Sequence, residues 1–293
     1  MTLRRIACLG RSKQALPARE LLSVVTKLSA QGIEVLFESR LAAHCDADAI
    51  KNSGVTVLSM SEVRQAEIAV VLGGDGTFLR AARHCAPLGI PLAGVNLGHL
   101  GFLTDIAYED MRHALLDIIG GAHQLEKRFI LAAQVERNGK VLEESGTIAI
   151  NDIVFSRGEA GVLLGLRVSI NGALAYDLRA DGLIVSTPSG STAYALAAGG
   201  PIVAPNLKAV LLVPLCPHAL TYRPLALNAA GMDVTVEITK SKTAQLHLDG
   251  DLRVPLDKGD IVRVRRYAKP LRLYHPQSYD YFATLRQKLH WGN

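Results

Sequence analysis

Cysteine is scarce in this sequence. The chain of 293 residues has four, Cys8, Cys45, Cys85 and Cys216, and no two form a C-x-x-C pair. That spacing excludes the usual signatures of a zinc ribbon and of a dithiol redox centre. Aromatic residues make up 5% of the chain, with a single tryptophan, so its cores must be aliphatic. No stretch approaches the ~18 consecutive apolar residues of a membrane span. The opening MTLRRIACLGRSKQ has too short an apolar run for a secretion signal. Together these absences predict a protein of the reducing cytoplasm. Charge of one sign is barely in excess, at a net +5 and a pI near 9.0. No basic run is interleaved with aromatics, so neither nucleic acid nor membrane is expected as a partner. The small positive balance suits anionic small molecules.

What is present falls into two textures. Over residues 1–125 short apolar strands (IACLG, IEVLFES, VTVLSM, IAVVL, IPLAGVNLG) alternate with helical spacings (ALPARELLSVVTKLSAQG, TFLRAARHCAPLG, YEDMRHALLDIIGG). Such alternation predicts an α/β domain, three layers deep, around a mainly parallel sheet. Over 126–275 strand patterns follow one another, two of them joined by Asn138-Gly139 and Asn171-Gly172, the dipeptides of tight hairpins. This predicts an all-β, sandwich-like second domain. The tail 276–293 carries a helical spacing in YFATLRQKLHW and is expected to rejoin the first domain.

Four stretches carry the chemistry. In VVLGGDGTFLR an apolar strand ends at Gly73-Gly74, and Asp75 stands between Gly74 and Gly76 at the mouth of a helix. The stretch is neither G-x-G-x-x-G nor a P-loop. It nevertheless lies at the carboxyl end of a parallel strand, where α/β sheets bind ligands. Its glycines leave room for a phosphate near helix N–H groups. Asp75 would repel that phosphate unless it serves a proton, a hydroxyl or a metal; the plainer reading makes it a helix N-cap. Arg80, about one turn into the helix, is a candidate phosphate contact or a plain surface arginine. The second stretch, NLGHLGFLTD, spans residues 96–105; its His99 reads better as a loop histidine than as a catalytic one. The third opens a strand with Asn151-Asp152, an amide beside a carboxylate that can hold the two hydroxyls of a ribose or simply end a turn. The fourth, RADGLIVSTPSGSTAYALAAGGPIV over 179–203, crowds hydroxyls around Gly190 and adds the flat ring of Tyr194, a setting for a nucleotide base. The G-x-S-x-G elbow of serine hydrolases is absent.

In their order and spacing, GGDGTFLRAAR, NLGHLGFLTD, ND, DGLIVSTPSGSTAYALAAGGPIV and CPHALTYRPL resemble the NAD kinase family, from about residue 66 to the closing HPQSYDYFATLRQKLHW. GGDG alone is shared with phosphofructokinases and diacylglycerol-type lipid kinases; joined to STPSGSTAY it is far more specific. The resemblance implies an α/β domain and a β-sandwich domain with the active site between them. It implies transfer of the γ-phosphoryl of ATP, with a divalent metal such as Mg²⁺, to the 2′-hydroxyl of the adenosine ribose of NAD. By the same resemblance Asp75 is the proton acceptor, and Gly73, Gly74 and Gly76 form the phosphate-donor loop. The dinucleotide is then met by Gly76, Asn151, Asp152, Thr192, Ala193, Tyr194, Ala195, Leu196 and Ala197. Arg179 and Asp181 reach the site across a subunit boundary of a homodimer or homotetramer. No side chain is assigned as a metal ligand. Three positions depart from the family's usual pattern: Ser189 replaces a threonine, Asp152 stands where glutamate is frequent, and Asp251, which the resemblance also places at the dinucleotide, stands where glutamine is frequent. Two rival readings are a diacylglycerol-type lipid kinase, which calls for an apolar membrane-facing segment, and a dinucleotide sensor without catalysis, which has no use for Asp75.

Overall fold

A computed structural model of the chain describes residues 3–10, 18–98, 101–142, 147–158 and 162–290. His99 and Trp291 lie outside them. The chain divides into two compact units, Met1–Lys127 with Leu271–Asn293, and Arg128–Pro270.

The first unit alternates strand and helix: β1 (Arg5–Gly10), α1 (Ala18–Ala30), β2 (Glu34–Glu38), α2 (Ser39–Ala42), α3 (Ala47–Asn52), β3 (Thr56–Leu58), β4 (Ile68–Leu72), α4 (Asp75–Leu88), β5 (Leu92–Asn96), β6 (Ile106–Ala107), α5 (Met111–Ile119) and β7 (His123–Arg128). The sheet runs β3-β2-β1-β4-β5, continues through a strand at Leu271–Pro276 to β7, and has β6 beside β5. The ladders between β3, β2, β1, β4 and β5 are parallel. β4 and β5 are buried along their whole length, as strands covered on both faces must be. Helix α4 ends on Gly89 in the left-handed conformation, φ 76°, which glycine adopts without steric cost.

The second unit is all-antiparallel. Its strands are β8 (Leu131–Arg137), β9 (Lys140–Val141), β10 (Thr147–Ala149), β11 (Asp152–Arg157), β12 (Leu164–Ile170), β13 (Ala173–Ala180), β14 (Gly182–Ser186), β15 (Ala209–Leu215), β16 (Leu225–Asn228), β17 (Asp233–Lys240), β18 (Ala244–Leu248), β19 (Leu252–Leu256) and β20 (Ile261–Arg266), with one short helix α6 (Tyr194–Ala197) between β14 and β15. One sheet runs β10-β8-β20-β17-β12-β13 with β9 beside β8, the other β16-β15-β14-β11-β18-β19. Their facing residues form one aliphatic core that includes Val168, Val236 and Val264 from the first sheet and Phe155, Leu183 and Leu246 from the second. Strand β17 alternates buried and half-buried residues, the period-two pattern of a strand with one face in the core. Both Asn-Gly pairs turn hairpins, with φ 51° at Asn138 and Asn171 and 73° and 81° at the glycines after them.

The structure revises one border. IVRVRRYAKPLRLY, expected to lie in the β-sandwich up to residue 275, splits: Ile261–Arg266 is β20, but Leu271–Pro276 joins the parallel sheet, with Leu273 opposite Leu92. Its inward side chains, Leu271, Leu273 and His275, are all buried there. His275 anchors it, bonded through Nδ1 to Asp105 Oδ2 and through Nε2 to Glu126 Oε2, each at 3.0 Å, and stacked on Tyr279. The terminal helix Tyr281–Leu289 follows in the same unit.

Candidate active site

In the first unit the site is built where β4 hands over to α4. The N-cap of α4 is Gly74, and Asp75 is the first residue of the helix. The capping role is therefore not carried by the Asp75 side chain. Its carboxylate instead reaches the segment after β5: Oδ2 accepts from Phe102 N at 2.9 Å, and Oδ1 accepts from Leu103 N at 3.1 Å and from the Thr104 hydroxyl at 3.2 Å. Thr104 Oγ1 in turn accepts from Asn96 Nδ2 at 2.9 Å, and Asn96 Oδ1 accepts from Gly98 N at 2.6 Å. One polar network thus joins GGDG to NLGHLGFLTD. A negative charge in the first turn of α4 also suits the positive end of its dipole.

The glycines here have different reasons to exist. A Cβ on Gly101 would lie 2.0 Å from Asp75 Oδ1, so only glycine lets this backbone pass the carboxylate. Gly73 has φ 150°, and a Cβ there would meet Thr77 Oγ1 at 2.8 Å. At Gly74 and Gly76 an added Cβ would meet no atom of the described residues within 4 Å, and neither φ is positive. Backbone and packing do not demand glycine at those two positions. They flank Asp75, and the space their missing side chains leave is available to a ligand.

In the second unit three segments converge at one end of the six-stranded sheet. Antiparallel pairing places Asp152, at the start of β11, opposite Ser186, at the end of β14. Thr187 then ties the following loop to the strand start: its N–H donates to Asn151 O at 2.8 Å and its hydroxyl to Ile150 O at 2.7 Å. From the β18–β19 turn, Asp249 turns its carboxylate onto the N–H groups of Ile150 (3.0 Å), Asn151 (2.7 Å) and Asp152 (3.3 Å). Successive amides clasping an anion in this way form a nest. Asp249 was readable in the sequence only as part of an Asp-Gly turn, and its role follows from the pairing of β18 with β11. Asp152 is 4% exposed. Burial first, and the neighbouring Asp249 charge second, push its carboxyl up to about 7. Beside it, Asn151 Oδ1 is buried and takes no hydrogen bond, an acceptor facing no protein donor.

The loop into α6 is held stiffly. Ser191 Oγ donates to Pro188 O at 2.6 Å and accepts from Val203 N at 2.9 Å, and the Thr192 hydroxyl donates to Ser189 O at 3.1 Å. Tyr194 is half exposed. Ala195 is fully buried against Val154, Ile184 and Leu211, so its methyl faces the core; Ala193 and Leu196 are half-buried and Ala197 exposed.

Other expected site residues stand apart. Arg80 pairs with Glu38, Nη2 to Oε2 at 3.9 Å. Asp251 is exposed in the β18–β19 turn. Asp181, bonded to Arg157 at 3.1 Å, precedes β14, whereas Asp152 faces the last residue of that strand. Five residue steps separate Asp181 from Ser186, about 17 Å along the strand, so Asp181 does not touch Asn151–Asp152 of its own chain. Among the described residues no group of three or more His, Cys, Asp or Glu side chains is placed to hold a metal ion, and no helix is long and apolar enough to cross a membrane.

Both halves match known families. The ATP-NAD kinase N-terminal domain matches residues 13–122 and the ATP-NAD kinase C-terminal domain residues 150–275. A NAD kinase of Azoarcus sp. is 42% identical over 290 residues, 99% of this chain and 96% of that protein. A NAD kinase of Neisseria meningitidis is 45% identical over 240 residues, 82% of this chain and 80% of that one. The crystal structure of a yeast NADH kinase complexed with NADH superposes with a TM-score of 0.88, covering 100% of this chain and 89% of its own at 24% identity; that likeness speaks for the fold. Identity of this level, sustained through both units, settles the lineage: the chain belongs to the NAD kinase family.

Proposed function

We propose that this protein transfers the γ-phosphoryl of ATP to the 2′-hydroxyl on the adenosine ribose of NAD, making NADP. The observation that carries this reading is Asp75, held by three donors between two glycines whose missing side chains leave open space. Phosphoryl transfer asks the protein mainly for positioning and charge stabilisation. Asp75 orients the acceptor hydroxyl and takes its proton as the new P–O bond forms. Gly74 and Gly76 let the donor phosphates approach the backbone at the start of α4. In the second unit the unmet Asn151 Oδ1 and the Asp152 carboxyl suit ribose hydroxyls, and the exposed Tyr194 ring suits the base.

A divalent ion, Mg²⁺ by preference, belongs to this reading. Mg²⁺ is usually held by substrate phosphates, waters and one or two carboxylates. When bound it offsets the charge of the triphosphate near Asp75. We also propose a homo-oligomer in which Arg179 and Asp181 serve a neighbouring chain's site; their separation from Asn151–Asp152 along β14 supports it. Residence in the cytoplasm agrees with four free cysteines. The test is direct: the purified chain, ATP, Mg²⁺ and NAD, with NADP read by an NADP-specific dehydrogenase. NADP formation is expected. Its absence with ATP and with inorganic polyphosphate would reject the reading.

A further inference from the structure

The segment that holds the Asp75 carboxylate is itself gripped by the C-terminal tail. Phe102, Leu103 and Thr104 supply donors to that carboxylate. Leu103 and Thr104 are buried. The residues flanking that pair, Phe102 and Asp105, meet two different parts of the tail. Asp105 Oδ2 lies 3.0 Å from His275 Nδ1, and His275 Nε2 lies 3.0 Å from Glu126 Oε2 on β7. His275 is 2% exposed. An ionised carboxylate only accepts, so an imidazole serving one on each side donates from both nitrogens, as the imidazolium. Charge-assisted bonds of this kind are the strong ones, and burial keeps water from competing. Over Phe102 stands Lys288, its Nζ 5.9 Å from the ring centroid, within the range of a cation–π attraction. The terminal helix that carries Lys288 has a firm seat: Asp280 caps it by accepting from Phe282 N at 2.8 Å, and Leu285 is buried. The turn before it is tied to β7, where Gln124 Nε2 donates to Gln277 O at 2.7 Å.

Strand 271–276 and helix 281–289 thus bracket residues 102–105 from two sides of the sequence, all within the first unit. We propose that His275 and Lys288 are positioning residues for the phosphoryl transfer: through Asp105 and Phe102 they fix the segment whose donors aim the Asp75 carboxylate. The proposal rests on the kinase reading, in which Asp75 takes the proton of the acceptor hydroxyl. A general base works only within hydrogen-bond reach, about 2.6–3.2 Å. A misplacement of about 1 Å, caused far from the chemistry, can cost about a hundredfold in rate. A segment loosened at either end lets the carboxylate move by distances of that order. Asn151, Asp152 and Tyr194, proposed to hold NAD, belong to the other unit. The tail therefore governs kcat and leaves NAD affinity alone.

The test uses the full chain with His275→Gln and with Lys288→Met, each made also in the Asp75→Asn background. The readouts are kcat for NADP formation, equilibrium binding of NAD, and backbone hydrogen exchange of peptides covering residues 101–105. His275→Gln is expected to lower kcat by about tenfold to a hundredfold, and Lys288→Met by about threefold, the size of an exposed cation–π contact. NAD affinity should stay within about twofold in both, since no residue proposed to hold NAD is altered. Exchange should quicken at residues 102–104 and hold at the parent rate in β4. In the Asp75→Asn background the same substitutions should change the residual kcat by less than about twofold, because no base is left to aim. Equal losses in both backgrounds would overturn the proposal and leave the tail a general support of the fold. Lys288→Met with parent kcat and parent exchange at 102–104 would also overturn it, whether or not His275→Gln folds. The two readings fail separately. An unaltered chain that makes no NADP removes the kinase reading, while faster exchange at 102–104 in the variants still shows the tail holding the segment. NADP formation that ignores both substitutions removes the positioning role alone.

Discussion

On the function proposed above, Asp75 has two duties that a single substitution must separate. Its carboxylate accepts three hydrogen bonds from residues 102–104, and Asn has one acceptor oxygen with an NH₂ in place of the other. Asp75→Asn therefore loosens this segment as well as removing the proton acceptor. Thr104→Val deletes one of the same bonds and keeps the carboxylate. We expect Asp75→Asn to lower kcat by about 10²–10⁴ with NAD affinity within a few-fold, and Thr104→Val to lower kcat by less than about tenfold while losing roughly 1–3 kcal/mol of stability. Comparable kcat losses in the two variants would make Asp75 an anchor of the loop and not a base.

Asp152 gives a pH signature at the same scale. Its folded-state pKa, about 7, lies above its ordinary 3.8. The folded state therefore holds its proton longer than the unfolded state. Stability contributed at this site is complete below about pH 4, falls as the pH rises towards 7, and is level above that. Asp152→Asn carries no such penalty. Urea unfolding of both proteins from pH 5 to 8 should show the variant gaining on the parent by on the order of a few kcal/mol. Parallel curves would contradict the assignment.

At the scale of elements, the turn into α4 and the segment after β5 act as one part. The two kinds of glycine found there predict opposite phenotypes. Gly101→Ala places a methyl 2.0 Å from Asp75 Oδ1 and should cost about 1–3 kcal/mol of stability and most of the activity. Gly76→Ala meets no atom of the described residues and removes a glycine from a helix, so stability should hold or rise by up to about 1 kcal/mol. Nucleotide affinity should nevertheless fall, because the methyl occupies the space left for phosphate. Thermal unfolding and ATP binding on the same samples check the pair; a Gly76→Ala protein with unchanged ATP affinity would return this glycine to mere tolerance.

At the scale of the whole molecule, the ends of β14 matter. Asp181 stands before the strand and Asp152 faces its last residue, and in the proposed homo-oligomer the two serve one site from different chains. Inactive Asp75→Asn and Asp181→Ala proteins, mixed under conditions that exchange subunits, should regain partial activity. A mixed pair contains one site with both residues intact. Proven exchange without recovery would speak against a shared site.

The sequence by itself determined what depends on neighbours along the chain. Apolar runs and helical spacing announced the α/β unit, period-two alternation and two Asn-Gly pairs announced the β unit, and glycines around Asp75 at a strand end announced a phosphate-handling turn. These follow from local sterics and periodicity, which a few residues settle among themselves. Tertiary structure decided the partners. LRLYHP is an equally good strand in either unit, and only the buried seat of Leu271, Leu273 and His275 beside β5 assigned it to the parallel sheet. Whether Asp75 caps the helix was left open along the chain, and residues 27 to 29 positions away decided it by bringing their donors to the carboxylate. Asp249 carried no reading along the chain, and its clasp on residues 150–152 exists only because β18 pairs with β11. Hydrogen bonds and charge pairs of that kind depend on where distant segments return in space, and burial then fixes their strength, so no local pattern of residues records them.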